Sequence, residues 1–242
     1  METAEFLRAL ETEGRLLAEA AEKAGTDAEV PTCPGWHVRD LLRHTGAVHR
    51  WAASYVTERH TGRRPLTEPS DLDGAELVAW YRDSHRRLVG ALAAAPPGLR
   101  CWTFLPAPSP LAFWTRRQAH ETAVHRFDAE SARGGEPTAV TPEFATDGID
   151  ELLRGFHARE RSRVRTPGPR VLRVRADDTG AVWTVRLSPE PPVTERGASG
   201  EAECELSGPA GQLYLALWNR APLPSVRGDR ALAELWRETS AI

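Results

Sequence analysis

The chain has 242 residues, of which 40% are hydrophobic and 27% are charged, a composition typical of a globular protein rather than a disordered one. Its formal net charge of −3 argues against a general nucleic-acid-binding protein, and its apolar runs are too short for a membrane span. The first twenty residues are acidic and amphipathic, unlike a signal peptide. We therefore expect a cytoplasmic protein with free cysteine thiols and with neither nucleic acid nor a membrane as a partner.

The first part of the chain carries apolar residues at helical spacing in four long segments. Breaks that contain proline or glycine separate these segments, as at residues 30–36. The predicted helices cover residues 3–24, 38–57, 74–95 and 111–132. Four helices of this length, joined by such breaks, predict a four-helix bundle.

The hydrophobic pattern changes near residue 165, after a shorter helix predicted over residues 144–160. Alternating residues then predict strands, and two helices follow them: strands over 171–175, 182–187 and 201–206, and helices over 210–218 and 229–239. We place a domain boundary at Arg165. The predicted class is α+β, with a helical bundle over residues 1–164 and a small α/β domain of about three antiparallel strands over residues 165–242.

The fourth predicted helix carries the residues that most suggest a chemical site. Glu121 and His125 are four residues apart, so a rotation of about 100° per residue places them on one face of the helix. Asp128 falls on the same stripe. A carboxylate and an imidazole in this arrangement can bind one metal ion. The same spacing on a surface helix usually gives a hydrogen bond, so the pattern alone leaves both interpretations open.

The second predicted helix offers two further candidate ligands. His44 and His49 diverge by about 140° around the helix axis, so they are not expected to share a metal ion. One of them can meet Glu121 and His125 across the bundle interior. Two histidines and one carboxylate would leave metal positions open, as a catalytic site requires. Three other histidines fall on polar helix faces or loops and are expected to be solvated: His60, His85 and His157.

Two segments together resemble the mycothiol-dependent maleylpyruvate isomerase family, whose members contain a DinB-like metal-binding bundle. They are VPTCPGWHVRDLLRH at residues 30–44 and RQAHETAVHRFDAE at residues 117–130. The likeness extends over nearly the whole chain. It implies a four-helix bundle followed by a small C-terminal α/β domain.

The resemblance also implies a set of metal ligands. In this family, the last histidine of a W-x-x-x-x-L-x-x-H pattern and an E-x-x-x-H pair hold the metal. The first pattern runs from Trp36 to His44, and the second is Glu121 with His125. His44, Glu121 and His125 are therefore the implied ligands of a divalent metal, with zinc the most frequent one. His49 is left to face the substrate or cofactor, or to support a ligand.

Two further residues receive roles through the resemblance. Arg220 matches an arginine near the end of a helix in the second domain, and would bind the cosubstrate and a carboxylate or oxyanion on the substrate. The alternative for Arg220 is an ordinary surface arginine. Asp128 would hydrogen-bond a ligand imidazole and fix its tautomer, or form a salt bridge with Arg126 or Arg117.

The implied activity is that of a mycothiol-dependent enzyme acting on a small electrophile. The metal would lower the thiol pKa from about 8.5, so that the thiolate can attack. An isomerase then releases the thiol after rotation of the adduct, whereas an S-transferase leaves it attached. Two alternatives stay open: a non-catalytic metal-binding stress or binding protein, and a thiol-independent hydrolase with Asp128 or His49 as base. The sequence leaves the oligomeric state open, although a monomer with one cleft between its domains would need no partner.

Overall fold

The structure, a computed structural model, describes residues 1–66 and 70–241. The chain divides into two compact units, Met1–Thr138 and the residues from Ala139 onward. This division falls earlier than the boundary predicted at Arg165, because the fifth helix packs against the sixth within the second unit. The change from a helical to a strand pattern near residue 165 therefore lies after the boundary between the two units.

The first unit contains the four predicted helices. They are α1 (Thr3–Ala24), α2 (Val38–Glu58), α3 (Gly74–Ala94) and α4 (Pro110–Arg133), and the predicted bounds agree with them to within one residue. The side chains of Asp73 and Ser109 accept hydrogen bonds from backbone N–H groups in the first turns of α3 and α4. α1 packs on α4, and α2 packs on α3.

α4 is the helix that brings polar groups into the bundle interior. The core around it is apolar and includes Phe6, Leu10, Leu17, Leu41, Leu42, Leu77 and Trp114. Arg126 of α4 is only 1% exposed and donates to the carboxylates of Glu13 and Glu130. Buried charges are costly unless they are paired and hydrogen-bonded. The fold therefore supplies two carboxylate partners for this arginine.

The histidines predicted to be solvated are packed to different degrees. His85 lies with its Nε2 3.0 Å from the carbonyl oxygen of Leu10, and its ring occupies the space beside Gly14. His157 is buried, with Nδ1 3.1 Å from Ser162 Oγ. The prediction is wrong for these two because helix periodicity does not reveal which neighbour packs against a polar face. His60 is partly buried.

The second unit begins with α5 (Pro142–Glu151), which continues as one π-helical turn (Leu152–Phe156). A five-stranded sheet and two helices follow: β1 (Arg170–Ala176), β2 (Val182–Leu187), β3 (Val193–Arg196), β4 (Cys204–Gly208), α6 (Ala210–Leu217), β5 (Val226–Gly228) and α7 (Arg230–Thr239). The strand order is β3-β2-β1-β4-β5, in which β1 pairs antiparallel with β2 and parallel with β4. The predicted α+β class is confirmed. The sheet is mixed and has two more strands than predicted, β3 and β5, because both are too short to show alternation.

A search of the described helices for a segment that is both long and apolar enough to cross a membrane finds none.

Candidate metal centre

The side chains of His44, Glu121 and His125 converge inside the first unit. Each offers one ligand atom, and these atoms all lie within 4.8 Å of one another. Oε1 of Glu121 is 3.4 Å from Nε2 of His44 and 3.3 Å from Nε2 of His125. α2 supplies the first histidine, and α4 supplies the other two residues one helical turn apart. The structure thus brings together the three residues that the family resemblance implies as ligands, and their binding of a metal stays a prediction.

The donor set of this cluster fits a divalent cation. Two imidazole nitrogens and one carboxylate oxygen form a ligand set found at catalytic zinc sites. The side chains of His44 and Glu121 keep 34% and 22% exposure, whereas His125 keeps 9%. The cluster is therefore open on the His44 side, where a further ligand could complete the coordination of a cation.

The electrostatics of the cluster favour an ionised Glu121. Burial raises the pKa of this carboxyl, but hydrogen bonds with His125 and His44 outweigh burial and hold the pKa well below its usual value. Arg117 contributes from the other side, with Nη2 3.3 Å from Oε2 of Glu121. Burial lowers the pKa of His125, but its bonds with Asp128 and Glu121 outweigh burial and raise the pKa to about 9. A cation entering the cluster near neutral pH would therefore displace a proton from His125.

Asp128 lies behind His125, on the side away from Glu121. Its Oδ2 is 3.0 Å from Nδ1 of His125, and the whole residue is buried. The hydroxyl of Thr32 donates to Oδ1 over 2.5 Å, and the thiol of Cys33 lies 3.4 Å from Oδ2. Of the alternatives that the sequence leaves open for Asp128, the structure contains the hydrogen bond to a candidate ligand imidazole.

Trp36 packs on both candidate histidine ligands. Its ring is stacked on His125 with centroids 6.4 Å apart and an angle of 15° between the planes. It meets His44 edge-on, with centroids 5.3 Å apart. These contacts restrain the orientation of both imidazole rings.

His49 occupies a different place in the bundle. It is fully buried, and its Nε2 lies 2.9 Å from Thr122 Oγ1, with the rings of Tyr81 and His85 alongside. Burial lowers the pKa of His49 well below its ordinary value, so the ring is neutral. A side chain without exposed surface cannot touch a substrate or cosubstrate in this conformation. The predicted contact of His49 with the cofactor therefore finds no support in the geometry.

Arg220 belongs to the second unit and follows α6. Its backbone N–H donates to the carbonyl of Leu215 over 2.8 Å, and its Nη1 donates to the carbonyl of Trp218 over 2.9 Å. Asn219, which lies between Trp218 and Arg220, has a φ of 59°, a left-handed conformation that does not continue α6. The recognition of an anionic group by Arg220 stays a prediction.

A pocket of about 570 Å³ opens beside His44. Its lining combines apolar surface with charged and hydroxyl groups: Trp36, Asp40, Arg43, His44, Ala47, Leu66, Ser70 and Asp71. A cavity of this size, with a few polar groups in an apolar wall, suits a small molecule.

Sequence reasoning did not assign Thr32 or Arg117 to the site. Arg117 carries a usable signal, because it stands four residues before Glu121 on the same helix. Thr32 carries none, since it meets Asp128 across 96 residues of chain.

Comparisons with known proteins give the family. Residues 7–130 match the mycothiol maleylpyruvate isomerase N-terminal domain, and residues 143–235 match the C-terminal domain of the same family. A crystal structure of the mycothiol-dependent maleylpyruvate isomerase aligns with a TM-score of 0.58 and 13% identity, over 90% of this chain and 89% of that one. A histidine-to-alanine mutant of that enzyme aligns with a TM-score of 0.62 and 13% identity, over 90% of both chains. These structural likenesses establish a shared fold.

A comparison with curated protein sequences gives no match. The two domain matches nevertheless extend over most of the chain and agree with the resemblance of its ligand motifs. The chain belongs to the mycothiol maleylpyruvate isomerase family of mycothiol-dependent enzymes.

Proposed function

We propose that this protein is a metal-dependent isomerase or S-transferase in which the thiolate of mycothiol attacks a small electrophile. The observation that carries the proposal is the convergence of His44, Glu121 and His125 beside an open pocket. These three residues would hold a divalent cation, with zinc as the first candidate. When bound, the cation would supply the positive charge that lowers the thiol pKa and keeps the sulfur ionised.

The residues around the ligands prepare them for this role. Because Nδ1 of His125 is hydrogen-bonded to Asp128, its Nε2 is left to face Glu121 and His44. Arg117 engages the second oxygen of Glu121, so that the first oxygen faces the two imidazoles. Each ligand is thus oriented before a cation arrives.

The pocket beside His44 would receive the electrophile. Its apolar residues Trp36, Ala47 and Leu66 would reduce the water around the reacting sulfur. Arg220 is proposed to bind an acidic group of the electrophile. In an isomerase the thiolate adds to a conjugated double bond, the adduct rotates about the resulting single bond, and the carbon–sulfur bond breaks again. In an S-transferase that bond persists, and a proton completes the product.

A hydrolase that works without a thiol is disfavoured by the surroundings of its two candidate bases. His49 is fully buried, and its Nε2 is bonded to Thr122. The carboxylate of Asp128 accepts hydrogen bonds from Thr32 and His125 and has no exposed surface. Neither group has access to a water molecule in the pocket.

Titration of the cobalt-loaded protein with mycothiol tests the proposal. Mycothiol should produce a sulfur-to-cobalt charge-transfer absorption, and turnover of maleylpyruvate or of another electrophile should require both the metal and the thiol. His44→Ala should remove both signals, while His60→Ala should keep them. Turnover without thiol, or a metal-loaded protein that neither binds mycothiol nor turns over any of a broad panel of electrophiles, would contradict it.

A further inference from the structure

The turn that precedes α2 reaches the candidate metal centre from outside the two helices that carry the ligands. We infer that Thr32 of this turn is a positioning residue for His125, acting through Asp128. The inference rests on the proposed function, because it assigns a role toward the same cation. It adds a residue that neither belongs to the ligand set nor lines the pocket.

The turn is a fixed element rather than a loose loop. The backbone N–H of Cys33 donates to the carbonyl of Val30, and that of Trp36 donates to the carbonyl of Cys33, over 3.0 and 2.9 Å. The N–H of Val30 donates in turn to the carbonyl of Trp36 over 2.9 Å. Gly35 has a φ of 85°, a conformation that glycine adopts at little cost. The backbone on both sides of Thr32 is therefore held by hydrogen bonds within the turn.

The contact of Thr32 with Asp128 is a strong one. A buried carboxylate needs hydrogen-bond donors, and Asp128 has no exposed surface. Thr32 donates to Oδ1 over 2.5 Å, a length typical of a hydroxyl bonded to a charged oxygen. Cys33 approaches Oδ2 at 3.4 Å, but a thiol is a weak donor. Thr32 is thus the stronger of the two side chains by which the turn holds this carboxylate.

The orientation of Asp128 decides the orientation of His125. Oδ2 of Asp128 is hydrogen-bonded to Nδ1 of His125 over 3.0 Å, while Oδ1 accepts the hydrogen bond from Thr32. Without the hydroxyl, Oδ1 would lose this short hydrogen bond, and the geometry of the contact between Oδ2 and Nδ1 of His125 would change. Trp36, on the same turn, stacks on the face of that ring. One short segment therefore controls both the tilt of the imidazole and the hydrogen bond at its far nitrogen.

The experiment compares two substitutions at one position. Thr32→Val removes the hydroxyl and keeps the shape, whereas Thr32→Ser keeps the hydroxyl. Thr57→Val is a matched control, because the hydroxyl of Thr57 donates within α2 to the carbonyl of Ala53 and not, among the described residues, to a carboxylate. Thr32→Val should weaken Co²⁺ binding by about tenfold or more and change the visible spectrum of the bound ion. Thr32→Ser and Thr57→Val should stay within about twofold of the parent protein.

A double-mutant cycle and a metal-free readout separate positioning from a general effect on stability. If Thr32 acts through Asp128, Thr32→Val should have little further effect on metal affinity in an Asp128→Asn background. In the metal-free protein, Thr32→Val should shift the ¹⁵N resonance of His125 Nδ1, and Thr57→Val should not. Additive losses of affinity, or an unshifted Nδ1 resonance, would overturn the inference. A parent protein that binds no cation, yet shows this shift, would refute the proposed function and leave the positioning contact standing.

Discussion

Glu121 divides its two carboxylate oxygens between different partners. Oε1 faces the imidazoles of His44 and His125, and Oε2 faces Arg117, which is buried one turn earlier on α4. Arg117 thereby balances the charge of Glu121 and fixes its rotation. A buried ion pair of this kind is costly to break, because one charge is then left without its partner.

Replacement of Arg117 with Met should therefore reduce metal affinity. The expected loss is about tenfold to a hundredfold, because Glu121 would lose the group that orients its second oxygen. Arg15→Met is the control, since Arg15 forms a pair with Glu19 of the same spacing on an exposed face of α1. Competition with a colorimetric chelator measures both variants. Equal affinities for Arg117→Met and the parent protein would contradict the role of Arg117.

His157 should make the stability of the protein depend on pH. Burial lowers the pKa of His157 to about 4, whereas a histidine in an unfolded chain titrates near pH 6.5. Between these two pH values the unfolded chain binds more protons than the folded protein. The contribution of His157 to the free energy of unfolding is therefore complete above pH 6.5 and decreases as the pH falls toward 4. From pH 7 to pH 5 the loss attributable to His157 is about 2 kcal/mol.

Urea denaturation of His157→Phe at both pH values measures this contribution. The variant should lose less stability on acidification than the parent protein, by roughly the same 2 kcal/mol. An identical pH dependence in the two proteins would show that His157 does not titrate as its burial requires.

Among the helices, the close packing of α1 on α3 depends on a glycine. A Cβ atom at Gly14 of α1 would lie 2.2 Å from Nε2 of His85 on α3, well inside the contact distance. Gly14→Ala should thus lower the free energy of unfolding by about 1–3 kcal/mol through overpacking. Gly90→Ala, an exposed position of α3 with open space around it, should raise it by about 0.5–1 kcal/mol. Chemical denaturation of both variants gives the comparison, and changes of the same sign would contradict this packing.

The helices and part of the site could be predicted from local sequence. Caps and breakers define the ends of α1 to α4, and the spacing of Glu121 and His125 places both on one face of α4. The choice of His44 rather than His49 required the family pattern. Helical periodicity tells which face of its own helix a residue occupies, but not which residue of another helix lies against it. Thr32 was unpredictable for the same reason, since its partner Asp128 is distant in sequence.

For the whole molecule, the candidate ligands and Arg220, the arginine proposed to bind the substrate, belong to different units. His44, Glu121 and His125 lie in the unit that ends at Thr138, whereas Arg220 lies in the unit that follows. Metal binding should therefore be independent of Arg220, while turnover should depend on it.

Arg220→Met tests this division of roles. The variant should bind the same amount of metal as the parent protein but lose about tenfold to a hundredfold in kcat/KM for an acidic electrophile. A neutral electrophile should be affected less, because it offers no charge for the arginine to bind. Unchanged kcat/KM for the acidic electrophile would assign Arg220 to the surface instead.

Metal analysis of protein purified without chelators and loaded with Zn²⁺ tests the central claim most directly. We predict about one tightly bound divalent cation per chain, its loss in His125→Ala, and its retention in His60→Ala. A parent protein that retains no zinc after removal of the excess, or a His125→Ala variant that retains as much as the parent, would contradict a metal centre built from His44, Glu121 and His125.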